Sequence, residues 1–256
     1  MKSEEVEIDS HYQADNIHIL NLNYLSGNSE LYNDHEYTIA NYENFGRNII
    51  NQRYGNIVSA NYSFPLFGFK TAEFRSEFNP LDISEKLTIL RSENYDDENY
   101  ILKITELYSD IGEDIAYLII EELNNERIDN YKNRIISALN FVQYIPYGVQ
   151  KNESFKNSKI NLPHETLILN YGDNNSKSIL FTCIIKNLIN PDNIAIITCD
   201  NVNNELKYIP AVSGLNKNGI FIEHKNKKFY PLETKKPIDI HDKHFEHINV
   251  KQIILF

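Results

Sequence analysis

The residues with the clearest chemical potential stand just before a long apolar run in the second half of the chain. Residues 172–178 (GDNNSKS) lead into the apolar run 179–189, which stops before a proline. This order predicts a buried helix that begins with small polar side chains. Ser176 and Ser178 are the candidate hydroxyl nucleophiles there, but a serine nucleophile needs an adjacent base, and the sequence places no histidine for that role. The sequence therefore favours hydrogen bonding at the helix start over catalysis by either serine.

The histidines of the chain offer two other kinds of site. His164 and His224 are the nearest to that helix in sequence, and His224 is predicted to form a structural cross-strand pair with Glu233. A C-terminal segment carries histidines spaced by three with acidic residues between them: His241, Asp242, His244, Glu246 and His247. On a helix this spacing would keep the imidazoles on one face, where a metal ion could bind. The pattern is not HExxH and lacks clear helix caps, so exposed histidines are the favoured interpretation, and no metal or cofactor is predicted.

The elements that must position these side chains predict an α+β fold. Two amphipathic helices precede the buried one, and Asp110 and Asp129 are predicted to be their N-caps. After the buried helix, the stretches IAIIT, KYIPAV, NGIFIEH and KKFYPLE alternate with polar turns. Such alternation predicts an antiparallel meander of strands. The boundaries of this second domain are predicted to be residues 109–256.

The first 108 residues are predicted to form a β-rich region of unassigned type. Their start is polar and weakly patterned, which predicts an irregular segment. Short stretches rich in Tyr, Phe and Ile between residues 37 and 78 predict strands, and so do LTILR and NYILKITEL after them. Some tyrosines are candidates for lining a recognition groove, although core packing is the favoured interpretation: Tyr37, Tyr42, Tyr62 and Tyr144.

Composition excludes several classes of partner. The 256 residues are 41% hydrophobic, which suffices for a core, and the net charge is −11. Such a surface repels nucleic acid and anionic lipid, so neither nucleic-acid binding nor membrane association is predicted. The only two cysteines, Cys183 and Cys199, lie in apolar runs and are predicted to be buried, although a single disulfide remains an alternative. With no signal-peptide pattern, a cytoplasmic location is expected, or a secreted one if a leader was removed.

Three phrases in the second half resemble motifs of bacterial transglutaminase-like proteins, whose fold is of the papain type. In order, they are residues 141–147 (FVQYIPY), 163–167 (PHETL) and 172–178 (GDNNSKS). The resemblance covers about residues 130–236 and implies a buried helix packed on an antiparallel sheet. The β-rich first region would then be an extension of this papain-type core.

The resemblance also assigns catalytic positions. In this family a cysteine in the first turn of the buried helix is the nucleophile, a histidine on the neighbouring strand is its base, and an acid on the next strand orients that histidine. In this chain Asn174 occupies the cysteine position, and the histidine position falls near Ile209 or Pro210. Glu233 keeps the acid position. A carboxamide is not a useful nucleophile, so no catalytic residue is predicted; asparagine is, however, a good helix N-cap.

The resulting functional prediction is an inactive transglutaminase-like protein that binds a protein or peptide, with no cofactor. The predicted binding residues follow from the three phrases and the acid position: Gln143, Tyr147, Asn174, Asn175 and Glu233. Two alternatives remain open. One is an active cysteine enzyme whose nucleophile has been replaced by mutation, and the other is a metal-assisted hydrolase that uses the C-terminal histidines.

Overall fold

A computed structural model of the protein describes residues 58–67, 70–92, 95–148, 160–200, 206–215, 219–235 and 248–256. The described residues combine α-helices with an antiparallel sheet, so the predicted α+β class is confirmed. The helices are α1 (Pro80–Ser92), α2 (Asp97–Leu107), α3 (Ser109–Asn125), α4 (Tyr131–Tyr144), α5 (Pro163–Leu169) and α6 (Asn174–Ile185). None of these described helices has the length and apolar character needed to cross a membrane.

Seven strands are described, in two sheets. They are β1 (Val58–Phe67), β2 (Lys70–Phe78), β3 (Ile194–Asp200), β4 (Leu206–Ser213), β5 (Ile222–His224), β6 (Lys227–Pro231) and β7 (Val250–Leu255). The first two form an antiparallel hairpin, and the other five form a sheet of order β5-β6-β4-β3-β7. All strand pairs of the larger sheet are antiparallel, as predicted for β3 to β6. The predicted meander order is wrong, because β4 pairs with β6 and β5 lies on the far side of β6. The sequence analysis did not predict the edge strand β7. Near the C-terminus it considered only the histidines of residues 241–247, as a possible metal site.

Helix α6 is the buried helix that its apolar sequence predicts. Ten of its 12 residues are buried, from Ser176 through Ile185. Helix α3 crosses it closely at Gly112, where a Cβ would lie only 2.0 Å from the main-chain oxygen of Cys183. Glycine is needed at this crossing because any side chain would overlap the backbone of the central helix.

The strand predictions for the region before residue 108 are correct in part. Strand β1 coincides with the predicted SANYSFPLFGF stretch, whereas β2 follows that stretch, and the predicted EYTIANYENF strand lies outside the described residues. Phe64 of β1 packs edge-on against Phe141 of α4 with ring centroids 4.8 Å apart. LTILR and NYILKITEL, in contrast, belong to the helices α1 and α2, so their assignment as strands is wrong. Both helices bury one face, through Ile83 and Leu90 in α1 and through Ile101 and Ile104 in α2. These spacings of seven and three residues suit a helix and not a strand.

Two predicted helix caps are also wrong. The N-cap of α3 is Tyr108, so Asp110 lies inside the first turn of that helix and is not its cap. The preceding helix, α2, does have an aspartate N-cap, because the Asp96 carboxylate accepts from the Asn99 amide. The N-cap of α4 is Asn130 instead of Asp129. Asp129 pairs with Arg134 at 2.6 Å, and this hydrogen bond lowers the pKa of the Asp129 carboxyl. Asn130, one residue after Asp129, accepts the capping hydrogen bond of α4 from the Asn133 amide, whereas no side chain makes a capping hydrogen bond at the start of α3.

The hydrophobic core is continuous across the predicted domain boundary at residue 108. One cluster of buried residues includes Phe64 and Ile104 from before the boundary and Ile115, Phe181 and Ile196 from after it. The division into 1–108 and 109–256 remains a prediction. Helix α6 contacts several helices as well as strands β3 and β4, so it lies at a junction of several elements.

Candidate functional site

The candidate site is built around the first turn of α6. Asp173 is its N-cap, and its carboxylate accepts hydrogen bonds from the backbone amide and the hydroxyl of Ser176 at 2.8 and 2.6 Å. Asn174 is therefore the first helical residue, not the cap that the sequence predicted. Burial raises the pKa of the Asp173 carboxyl, while its hydrogen bonds to Ser176 act in the opposite direction. The Asn174 position remains at the head of the central helix.

The side chains of Asn174 and Asn175 have different surroundings. The amide of Asn175 closes the start of β4 against α6, because its nitrogen donates to the Leu206 carbonyl at 2.9 Å and its oxygen accepts from the Tyr208 amide at 2.8 Å. The side-chain oxygen of Asn174 is buried and has no hydrogen-bond partner among the described residues. Asn175 thus joins α6 to β4 through two hydrogen bonds, whereas the side-chain oxygen of Asn174 is an unsatisfied acceptor among the described residues.

Ser178 ties the helix head to two further segments. Its hydroxyl lies 2.6 Å from the Asn174 carbonyl, 2.9 Å from the Tyr208 carbonyl and 3.2 Å from the Thr234 hydroxyl. Thr234 itself contacts the Asn174 carbonyl at 3.5 Å. Ser178 is buried and its hydroxyl is hydrogen-bonded, which agrees with the predicted hydrogen-bonding role. Ser176 has a similar role, because its hydroxyl also accepts a hydrogen bond from the Asn161 amide.

Lys177 is a fully buried cation one turn into the same helix. Its amino group donates to the carbonyl of Lys235 at 3.1 Å and to that of Gln143 at 3.4 Å. Burial lowers the pKa of Lys177 to about 8, and the Glu233 carboxylate partly opposes this shift. A lysine is almost never fully buried without a strong partner. Sequence analysis did not identify this residue. Its position between Ser176 and Ser178, just before the apolar run, nevertheless indicated burial.

The predicted binding residues Gln143, Glu233 and Tyr147 lie beside this lysine in one network. The Gln143 amide donates to the Glu233 carbonyl at 2.7 Å, and the Glu233 carboxylate accepts from the Lys235 amide at 2.7 Å. Tyr147 pairs with Gly172 through a backbone bridge and is 46% exposed, and the Lys235 amino group lies 4.3 Å from its ring centroid. Gln143 is buried, so only Tyr147 of these three presents a large exposed surface.

The position expected for a catalytic histidine lies on β4 next to the helix head. Ile209 and Pro210 pair with Ile197 and Ile196 of β3, and both are buried. The Pro210 carbonyl accepts from the Leu232 amide at 2.8 Å, which continues the contact toward Glu233. The strand, the helix head and the acid segment are thus adjacent, and the strand carries no imidazole at this point.

His164 is a core residue. It lies in α5, is completely buried, and stacks on Tyr108 with ring centroids 5.3 Å apart. Burial lowers the pKa of His164 to about 3, and the nearby Lys86 contributes to the shift. Such an imidazole stays neutral at physiological pH and fills space against the Tyr108 ring.

The predicted pair between His224 and Glu233 does not form. His224 is opposite Lys227 in the β5–β6 register, whereas Glu233 follows the far end of β6 at Pro231. The four-residue step from Lys227 to Pro231 already spans about 13 Å of extended strand. Sheet register therefore separates the two side chains.

The remaining candidates divide into two groups. Cys183 and Cys199 are both buried and free, which confirms the prediction that they act as small apolar residues. Tyr62 lies on β1, and Tyr144 is 52% exposed at the end of α4. The others lie outside the described residues: Tyr37, Tyr42, His241, His244 and His247.

Comparisons of this chain with models of protein families, with curated proteins and with solved structures find no match. The resemblance of its three phrases to transglutaminase-like proteins therefore remains a prediction from sequence. Chemically, the site combines a buried amide acceptor, a buried amine bonded to two carbonyls and an exposed aromatic ring. Of these three groups, the ring of Tyr147 is the one open to packing against a ligand.

Proposed function

We propose that this protein is a catalytically inactive, transglutaminase-like protein with a papain-type core, which binds a protein or peptide segment at the head of α6. The observation that carries the proposal is the first residue of that helix. Asn174 stands where the family resemblance requires a thiolate, at the positive end of a buried helix. A carboxamide there cannot form an acyl intermediate.

The order of elements around Asn174 supports the family part of the proposal. Helix α6 is followed by β3 and by β4, whose first residues bond to Asn175, and the segment after β6 returns to the helix head through Thr234. This is the order of nucleophile helix, base strand and acid strand that the resemblance to transglutaminase-like proteins implies. The base strand has Ile209 and Pro210 in place of an imidazole.

Binding is supported by a buried acceptor and by an exposed aromatic ring. The buried Asn174 oxygen has no donor among the described residues, and such an atom costs stability unless a partner satisfies it. Tyr147, joined to the helix head through its bridge with Gly172, exposes an aromatic ring next to the Lys235 cation. An exposed tyrosine supplies contact area at low entropic cost, which suits recognition of an extended peptide.

The inactive state is tested with a casein-like substrate, by measuring peptide hydrolysis and incorporation of a labelled amine. We expect no turnover above background for the wild type, for Asn174→Ala or for Asn174→Cys, because the cysteine variant would still lack a base on β4. Wild-type turnover that Asn174→Ala abolishes would contradict the proposal.

The binding function is tested with a library of unstructured peptides. Tyr147→Ala should weaken retained peptides by about tenfold, the usual cost of truncating an aromatic anchor. Tyr117→Ala is the matched control, because Tyr117 is an even more exposed tyrosine on α3. Equal retention by wild type and Tyr147→Ala would remove this site as the binding surface.

A further inference from the structure

The β5–β6 hairpin forms a basic and apolar surface on an acidic protein. Its turn is made of Lys225 and Asn226, both at positive φ, and His224 is paired with Lys227 across it. Ile220 and Phe221 just before the hairpin are 37% and 41% exposed, and the Lys228 amino group lies 4.5 Å from the Phe221 ring centroid. We call Ile220, Phe221, Lys225 and Lys228 the hairpin surface.

The hairpin surface is held rigidly. The Lys227 amino group donates to the Asp192 carbonyl at 2.8 Å and to the Asn193 side chain at 3.2 Å, which fixes the turn to the segment before β3. The neighbouring Phe229 is buried in the sheet. With three lysines and Glu223, residues 223–228 carry a net positive charge, whereas the whole chain carries −11. A fixed basic patch with exposed apolar side chains suits an acidic partner surface.

An acidic surface of the complementary kind lies on α3. Glu113, Asp114 and Glu121 are exposed, and Tyr117 between them is 69% exposed. Spacings of one, four and eight residues from Glu113 put these four side chains on one face of the helix, opposite the buried face. No ion pair joins any of the three acids to another described residue. We call these four residues the α3 surface.

Crowding of negative charge on the α3 surface is visible at Asp114. Partial burial raises the pKa of its carboxyl, and the neighbouring Asp110 and Glu113 add to the shift. Asp110 is already paired with Lys86 at 2.6 Å, so it is not available to a partner. A cation brought against Asp114 from outside would relieve this repulsion.

We propose that the hairpin surface of one molecule docks on the α3 surface of a second copy of this chain. Lysines would meet the acids, and Phe221 and Ile220 would pack against Tyr117. Both halves of the contact are present on every molecule, which is why a second copy is the occupant. An anionic membrane is disfavoured because its extended field acts on the whole net charge, whereas charges in contact interact at short range.

The first experiment measures molar mass by sedimentation over a dilution series. At about 0.15 M salt, where the Debye length is about 8 Å, we expect concentration-dependent association, because the repulsion between net charges is screened while contact charges still attract. About 1 M salt should weaken it. A protein that stays monomeric at every concentration and salt level overturns the proposal.

Charge reversal on each surface gives the decisive comparison. The double variant Lys225→Glu with Lys228→Glu, and the double variant Glu113→Lys with Asp114→Lys, should each associate at least about tenfold more weakly than the wild type. An equimolar mixture of the two should associate again, because every contact between unlike variants is once more between opposite charges. If the mixture gains nothing, or if either variant alone associates like the wild type, the surfaces do not meet.

Lys225→Asn separates folding from docking. Asparagine tolerates positive φ better than lysine, so the melting temperature should hold or rise while association weakens. Sedimentation with vesicles of phosphatidylcholine and phosphatidylserine tests the other occupant. Vesicle binding by a protein that is monomeric in solution would assign the hairpin surface to a membrane and overturn self-association.

Discussion

The head and the body of α6 are held in the protein by different forces. The body, residues 179–185, is buried on all sides, and α3 approaches it so closely that Gly112 touches the Cys183 backbone. The head, residues 174–178, is held by hydrogen bonds between its side chains and the main chain of β4 and of the segment after β6. Packing fixes where the helix lies, and polar contacts fix which segments surround its first turn. Within α6, the predicted binding residues Asn174 and Asn175 lie in the head, where polar contacts dominate.

The largest expected effect comes from closing the space beside the body. Gly112→Ala would place a Cβ 2.0 Å from the Cys183 carbonyl oxygen, and the backbone of α3 or α6 would have to move. We expect a loss of about 3 kcal/mol or more in the free energy of unfolding, at or above the upper range for overpacking. Urea denaturation measures it. Adding Cys183→Ala to Gly112→Ala should not restore stability, because the overlap is with the main chain of Cys183. Restored stability in the double variant would show that side-chain packing, and not backbone contact, sets the distance between α3 and α6.

A smaller effect is expected from the buried amine at the head. The pKa of Lys177 is about 8 in the folded protein against 10.5 for an ordinary lysine, so between these values the unfolded chain holds the proton that the folded chain has lost. Stability should therefore rise from about pH 8 to pH 10.5 by roughly 2 kcal/mol from this group. Urea denaturation of wild type and Lys177→Met at several pH values isolates it.

The difference in unfolding free energy between the wild type and Lys177→Met should change between about pH 8 and pH 10.5. Lys132→Met provides the control, because Lys132 is exposed on α4 and its loss should leave the pH dependence intact. If Lys177→Met keeps the wild-type pH dependence, Lys177 carries no buried charge, and the head would resemble the body.

The smallest effects distinguish the two neighbouring asparagines. Asn175→Ala removes both hydrogen bonds to the start of β4 and should cost about 1–2 kcal/mol. Asn174→Ala should cost less than about 0.5 kcal/mol or stabilise, because its buried side-chain oxygen has no partner to lose. Thermal denaturation of the two variants compares them directly. Equal losses would mean that Asn174, like Asn175, holds its surroundings through hydrogen bonds.

Several elements could be predicted because their information is local. The apolar run after residue 178 predicts the buried helix, and the alternating stretches after residue 193 predict β3 to β6. LTILR and NYILKITEL were assigned as strands because short Ile/Leu stretches suit both structures, and packing of α1 and α2 against the core decided between them. Strand β7 escaped prediction because only pairing with β3 defines it.

The candidate site shows the same division. Its chemical types were visible in the sequence, since Asn174 and Glu233 occupy recognisable phrases. Their partners were not, because the bonds from Asn175 to Tyr208 and from Gln143 to Glu233 join residues 33 and 90 positions apart. Such contacts depend on how strands and loops are brought together around one helix end.

The sequence by itself determined that a carboxamide opens the central helix, that this helix is apolar enough to be buried, and that antiparallel strands follow it. Tertiary structure alone decided that Asp173 is the N-cap, that Lys177 is enclosed by two carbonyl groups, and that His224 is kept from Glu233. The physical reason is range. Hydrophobic periodicity and capping act over a few residues, whereas burial of a charge and the register of a sheet are properties of the assembled fold.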